Sequence, residues 1–287
     1  MSSILICVIS GVFWAFFDIA RKISLNFFSP KSILIFFMAA QLCFFLTWSL
    51  YSDFNLNFSS YLLPGISLII IGLISSILFL KALKNSELSL SIPLLSFTPL
   101  FSAIFSYFFI DEKLTYFQYL AIFFIVLGTL ILYSTDLKIK SILASCLTLK
   151  KSLSARLMII VSICWSITPI LDKISLNYSS INIHGLIQSI GFLSFLVLIS
   201  LPEIKRFSKL SFTETKVIFF VVLIGIIATV LQLYAILNNY VPIMEAIKRI
   251  IGQFGALFFG YLFFNEKISK QKVLGIIFLS LGIFYLV

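Results

Sequence analysis

Residues 14–26 read WAFFDIARKISLN, and residues 165–177 read WSITPILDKISLN. Each starts on a tryptophan inside an apolar run and ends on the same KISLN. Two more correspondences follow in the same order. Ala82–Asn85 (ALKN) answers Ala235–Asn238 (AILN), and Tyr107, Glu112, Lys113 and Gly128 answer Tyr261, Glu266, Lys267 and Gly282. The chain therefore reads as one unit written twice: a first repeat over 1–134, a basic inter-repeat loop over 135–155, and a second repeat over 156–287.

Outward from these anchors lie ten apolar runs, near 4–20, 31–50, 61–80, 88–110 and 115–134, then 156–175, 181–201, 216–236, 241–264 and 270–287. At about 1.5 Å per residue each can span a hydrocarbon core of about 30 Å. Composition agrees: of the 287 residues 61% are hydrophobic, 33 are Phe and only 11% are charged. That excludes a water-soluble globule and leaves little chain for a soluble catalytic domain. The net charge of +10 would suggest nucleic acid in a soluble protein. Here the basic residues punctuate apolar runs, so they read as loops at a membrane surface, with the lipid bilayer as partner and no nucleic acid. The first basic residue, Arg21, follows the first apolar run, which predicts a span and not a cleaved signal. Cys7, Cys43, Cys146 and Cys164 show no metal or disulfide spacing.

A repeat of five spans is odd, so its second copy enters the membrane from the opposite side. The expected fold is all-α, with ten transmembrane helices as two inverted five-helix repeats, an arrangement suited to alternating access. Thr98, Ser102 and Ser106 in the fourth span match Gly252, Ala256 and Gly260 in the ninth. Such small-residue stripes are expected to serve close helix packing. Loops after spans one, three, five, seven and nine carry nearly all the Lys and Arg, among them Lys81, Lys84, Lys138, Lys140, Lys150, Lys151, Lys205, Arg206, Lys209 and Lys267; the alternate loops hold Lys113 and Lys173. The positive-inside rule then places both termini outside the cytoplasm.

The repeated ends, Pro99–Thr115 (PLFSAIFSYFFIDEKLT) and Gly255–Ser269 (GALFFGYLFFNEKIS), together with EAIKR at 245–249, resemble the drug/metabolite transporter superfamily, specifically its EamA-type ten-helix members. The resemblance covers nearly the whole chain. It implies secondary transport of a small molecule, drawn from amino acids, nucleotide sugars, phosphorylated metabolites, polyamines or amphipathic drugs. It also implies cytoplasmic termini, against the charge asymmetry. Pro99 in repeat one stands where repeat two has Gln253.

Ionisable residues inside spans are costly and mark cavities. Glu245, Lys248 and Arg249 cluster within a helical turn of one another at the start of span nine. Lys248 and Arg249 are read as an anchor for an anionic or zwitterionic metabolite, Arg249 being able to grip a carboxylate or phosphate bidentately. Glu245 is read as the compensating charge or as the group that binds a coupling proton. The equivalent stretch of span four, Ser91–Leu95, has no charge. Trp14 and Trp165 sit mid-span, Asp18 one turn beyond Trp14, and Gln232 and Gln253 in the spans flanking the cluster. These complete the expected substrate-binding set, in a cavity lined mainly by spans one, three, four, six, eight and nine. Gln41 and Gln188 are read as interhelical amides, His184 as a surface residue near a loop, and Asp172 as a neighbour of Lys173 at a loop. Glu112 and Glu266 are read as charges at the starts of spans five and ten.

No Walker loop, GxSxG or HExxH occurs, so no catalytic residue, metal or cofactor is expected. The reading is a multi-pass inner- or plasma-membrane carrier, with a coupling proton or counter-substrate, as monomer or homodimer. Its rivals are a proton-coupled exporter of cationic or amphipathic compounds, centred on Glu245, and a structural or receptor subunit of the membrane.

Overall fold

The computed structural model describes residues 3–134, 152–204, 210–266 and 269–286. Among the described residues ten helical elements follow one another: α1 Ser3–Ser24, α2 Pro30–Leu50, α3 Phe58–Lys84, α4, α5 Tyr116–Tyr133, α6 Leu153–Leu176, α7 Ile181–Ile204, α8 Phe212–Asn238, α9 Val241–Phe264 and α10 Lys270–Leu286. Element α4 is built of three pieces: an α-helical turn Leu88–Ser91, a 3-10 segment Ile92–Ser96 and the helix Phe97–Ile110. Among the described residues there is no strand beyond a single β-bridge, Leu56 with Ser179. Among the described residues eight helices are long and apolar enough to cross a membrane, and the apolar run Tyr116–Ile131 of α5 is shorter. Much of their surface is unsuited to water: Leu63 is 79% exposed and Phe108 75%. The basic residues Lys138, Lys140, Lys150, Lys151, Lys205, Arg206, Lys209 and Lys267, and Cys146, lie outside the described residues.

Local sequence sets the helix ends. Ser29 caps α2 ahead of Pro30, where a missing N–H costs nothing. Thr115 with Gln118, and Ser211 with Glu214, form capping boxes on α5 and α8. The ends of α4 and α9 are copies of each other: Asp111 and Asn265 adopt left-handed backbone (φ 52° and 53°), a conformation Asp and Asn tolerate better than most residues. The next residues then fold back, Glu112 N–H donating to Ser106 O and Glu266 N–H to Gly260 O.

Helix packing repeats under exchange of each helix with the one five places on. α1 packs on α8 and α9, and α6 packs on α3 and α4. α2 pairs with α7, α4 with α9, and α5 with α10. The stripes expected to pack do lie buried where α4 meets α9: Thr98, Ser102, Ser106 and Ala256 are at most 3% exposed, and Gly252 faces Ile92. Gly260 serves a different neighbour. A Cβ there would meet the Glu266 carboxylate at 2.6 Å, so this glycine makes room for an acid and not for a helix.

Loops gather at two ends of the bundle. At one, the α2–α3 and α6–α7 loops pair through Asn57 N–H to Tyr178 O (2.8 Å) and Ser180 N–H to Asn55 O (3.2 Å). Lys173 at the end of α6 donates to Asn239 O before α9 and to Glu112. At the other end, the repeat-equivalent Lys22 donates to Leu83 O and Ser86 O, and Lys31 to Ile199 O. Arg21 and Lys272, which by position belong with the loop cations after spans one and nine, are instead buried at 5% and 8% exposure.

Candidate functional site

A central cavity of about 190 Å³ opens between the halves. Trp14, Asp18 and Arg21 of α1, Trp165 and Asp172 of α6, Gln232 of α8, and Lys248, Arg249 and Gly252 of α9 all reach its wall. The spans expected to line it do so, with α4 contributing Ile92. α2 and α7 also contribute, through Phe37, Met38, Gln41, Phe45, His184 and Phe192. The expected lining is thereby extended by two helices, which add aromatic and aliphatic surface beside the charged groups.

Span nine enters the bundle with its charges inside. Glu245 is fully buried, and both its oxygens are engaged: Oε1 by Lys248 Nζ and Oε2 by Arg249 Nη2 at 2.8 Å. Lys248 also donates to Gln232 Oε1 at 2.9 Å. The carboxylate stands behind the cations and outside the cavity lining, while Lys248 and Arg249 lie in it. Two cations thus share one acid.

The tryptophans complete this arrangement symmetrically. Lys248 Nζ lies 5.3 Å from the Trp14 ring centroid, and the Arg249 guanidinium 5.3 Å from that of Trp165. Both distances are within cation–π range. Close approach of α1 to α9 makes the first contact possible: a Cβ on Gly11 would meet Lys248 Cα at 3.3 Å. Trp165 Nε1–H donates to Ser75 Oγ at 3.0 Å. Trp14 Nε1 and Arg249 Nε have no hydrogen-bond partner among the described residues.

Asp18 pairs with Arg21, whose guanidinium also rests over Phe17 at 4.2 Å and Phe79 at 4.4 Å. Of the expected substrate-binding set, then, Trp14, Asp18, Trp165, Gln232, Lys248 and Arg249 come together at the cavity. Glu245 and Gln253 do not reach it. Gln253 is fully buried with neither amide atom hydrogen-bonded. Gln41 bonds Thr229 Oγ1 at 2.8 Å, and Gln188 bonds Tyr61 and Gly65 O on α3, as interhelical amides.

Three expectations are corrected. His184 is not a surface residue: it is 1% exposed, with Nδ1 2.9 Å from the Tyr61 hydroxyl and Nε2 3.0 Å from Asp172 Oδ1. Asp172 faces His184 and the cavity, not Lys173, which salt-bridges Glu112 at 2.6 Å. Glu112 and Glu266 do serve helix starts, but those of the other repeat. Glu112 Oε2 accepts from Val241 N–H at the start of α9, and Glu266 accepts from Leu88 and Ser89 N–H at the start of α4. A carboxylate at a helix N-terminus satisfies orphan donors and the dipole together; the sequence signal was present, and only the partner was out of reach. One signal for Asp172 also existed: it and Arg21 hold the same repeat position, two residues with charge inside apolar runs.

A chain of apolar spans enclosing a charged cavity defines a multi-pass membrane protein. The sequence profile described as the EamA-like transporter family matches residues 1–134 and again 153–287. The chain belongs to that family, within the drug/metabolite transporter superfamily. No curated protein matches it significantly. Among solved structures 28 chains match. One crystal structure superposes over 98% of this chain and 94% of its own, with a TM-score of 0.66 at 13% identity, a likeness of fold alone.

Proposed function

We propose that the protein is a secondary active transporter, built as ten membrane spans in two inverted five-helix repeats (1–134 and 156–287 about the basic loop 135–155), that carries a small anionic or zwitterionic metabolite by alternating access. The observation that carries this reading is the 2:1 arrangement of Lys248 and Arg249 on Glu245, with the cations in the cavity wall and the acid behind them. A cargo carboxylate or phosphate would complete the charge balance. The helices that hold the anchor meet the opposite repeat at the cavity, so rocking the halves would expose it alternately. Of the two roles open to Glu245, its engagement by both cations favours compensation over proton binding. Trp14, Trp165 and Gln232 orient the cations, and Asp18, paired with Arg21, lines the same cavity. Gln253, buried beside the cluster on α9, is assigned to helix packing. The charge asymmetry of the loops supports both termini outside the cytoplasm, in a cell inner or plasma membrane.

The test is ligand-dependent unfolding of the detergent-purified protein against dicarboxylates, amino acids, sugar phosphates and polyamines. A ligand at about 100 times its Kd stabilises the folded state by about 2.7 kcal/mol. Stabilisation by anions or zwitterions, lost in Arg249→Ala, is expected. Stabilisation by polyamines alone would sink the anion anchor and favour the exporter of cations.

A further inference from the structure

Beneath the paired α2–α3 and α6–α7 loops lies a hydrogen-bonded chain that the anchor does not use. Gln188 Nε2 donates to the Tyr61 oxygen at 3.0 Å, Tyr61 meets His184 Nδ1 at 2.9 Å, and His184 Nε2 meets Asp172 Oδ1 at 3.0 Å. The chain links α3 of the first repeat to α6 and α7 of the second. Tyr61 stands in the first turn of α3 and His184 in the first turn of α7, the two helices whose leading loops are tied by Asn57 to Tyr178 and Ser180 to Asn55. Asp172 and His184 also line the cavity.

We propose that the Asp172–His184 pair is the proton-binding site of this carrier, and that protonation there unlatches the loop seam above it. This rests on the transporter reading, because the proton is offered as the ion coupled to cargo movement. The donor pattern gives the mechanism. With neutral imidazole, Nε2–H donates to the Asp172 carboxylate and Nδ1 accepts from the Tyr61 hydroxyl, which itself accepts from Gln188, so both ring nitrogens and the hydroxyl are satisfied. A proton added at Nδ1 makes that nitrogen a donor, so the Tyr61 oxygen has to accept from it and the Tyr61 O–H, its acceptor lost, has to turn elsewhere. The hydroxyl that reorients stands between α3 and α7, directly below the seam. Histidine is the side chain whose charge ordinarily changes between about pH 5 and 8.

The surroundings leave this pair as the titrating unit. Tyr61 faces it from α3 and Asp172 from α6, whose neighbour Lys173 is held by Glu112. The one charge on α2, Lys31, is at the opposite end of the bundle on Ile199 O. On α8, Gln232 is bound to Lys248, and on α9 Lys248 and Arg249 are held by Glu245. Asp53, in the α2–α3 loop, is exposed.

The chain has one histidine, so [15N]histidine labelling of the untagged-histidine protein in detergent gives an imidazole spectrum with no overlap. Between about pH 5 and 8 the signal should pass from an Nε2–H neutral tautomer to imidazolium, and Asp172→Asn should lose that tautomer preference. Hydrogen exchange of the segments around Asn57 and Ser180, corrected for intrinsic rate, should speed up about tenfold on the acid side, reporting local opening. In His184→Gln the pH step should vanish. A histidine that stays neutral across this range overturns the proposal, as does one that titrates while seam exchange is unchanged. A wild-type step that persists in His184→Gln overturns it too. None of these readings requires a cargo, so an anion anchor that fails its own test leaves them intact.

Discussion

The first turns of α4 and α9 hold matching places in the repeat, and they were put to opposite uses. In α4 the stretch Ser91–Leu95 runs into a 3-10 segment at Ile92–Pro93. Ile92, Leu94 and Leu95 are at most 2% exposed, and the Ser91 hydroxyl bonds locally to Glu87 O and Ser86. Pro93 lacks the N–H that a continuous α-helix needs, and the tighter turn packs an apolar wedge. In α9 the same positions are Glu245–Arg249 within an unbroken helix from Val241 to Phe264, carrying two cations and an acid. The contrast shows that architecture asks for no charge here. The symmetric duty of these segments is to be capped by the other repeat's glutamate, and the charges on α9 are an addition to one copy only.

The comparison can be broken at several levels. Glu245→Gln would leave Lys248 and Arg249 buried without their acid, a loss of about 3–5 kcal/mol, whereas Ser91→Ala should stay within about 1 kcal/mol; chemical unfolding in detergent reads both, and equal losses would remove the asymmetry. Next is Gly260→Ala. Its Cβ would push Glu266 off the start of α4, at about 1–3 kcal/mol, while Ser106→Gly at the matching position of repeat one should cost less. A Gly260→Ala protein as stable as wild type would mean that Glu266 has another resting place. Glu112→Gln and Glu266→Gln sharpen the shared half of the comparison. Each weakens a charge-assisted cap by about 1–2 kcal/mol, and the two should agree; a strong inequality would show that the caps are not equivalent. Smallest is Gln41→Leu, which removes the bond to Thr229 for about 0.6 kcal/mol.

Helix positions, the repeat and the buried charge cluster were legible because each is a short-range signal: an apolar run, a KISLN recurrence, three charges inside one turn of helix. What stayed hidden depends on partners far along the chain. Lys22 and Lys173 sit in the same words, yet one bonds carbonyls at and just after the end of α3 and the other bonds Glu112 and Asn239. His184 is four residues from Ser180 and reads as loop-side. It is buried because α3 brings Tyr61 and α6 brings Asp172 against it, and no pattern within α7 announces either. The lining role of α2 and α7 was missed for a similar reason. Searching for charge finds the charged groups of the cavity but not the aromatic and aliphatic walls that enclose them.

The crossed caps also bear on how such a chain could exist in pieces. Glu112 closes the start of α9 and Glu266 the start of α4, so each half holds the stopper for a helix it does not own. Cut in the loop between the halves, the two fragments would be individually incomplete and mutually specific, and co-expression should restore one folded body where either alone would not persist. A single half meeting a second copy of itself, head to foot, would find the same stopper offered in both directions.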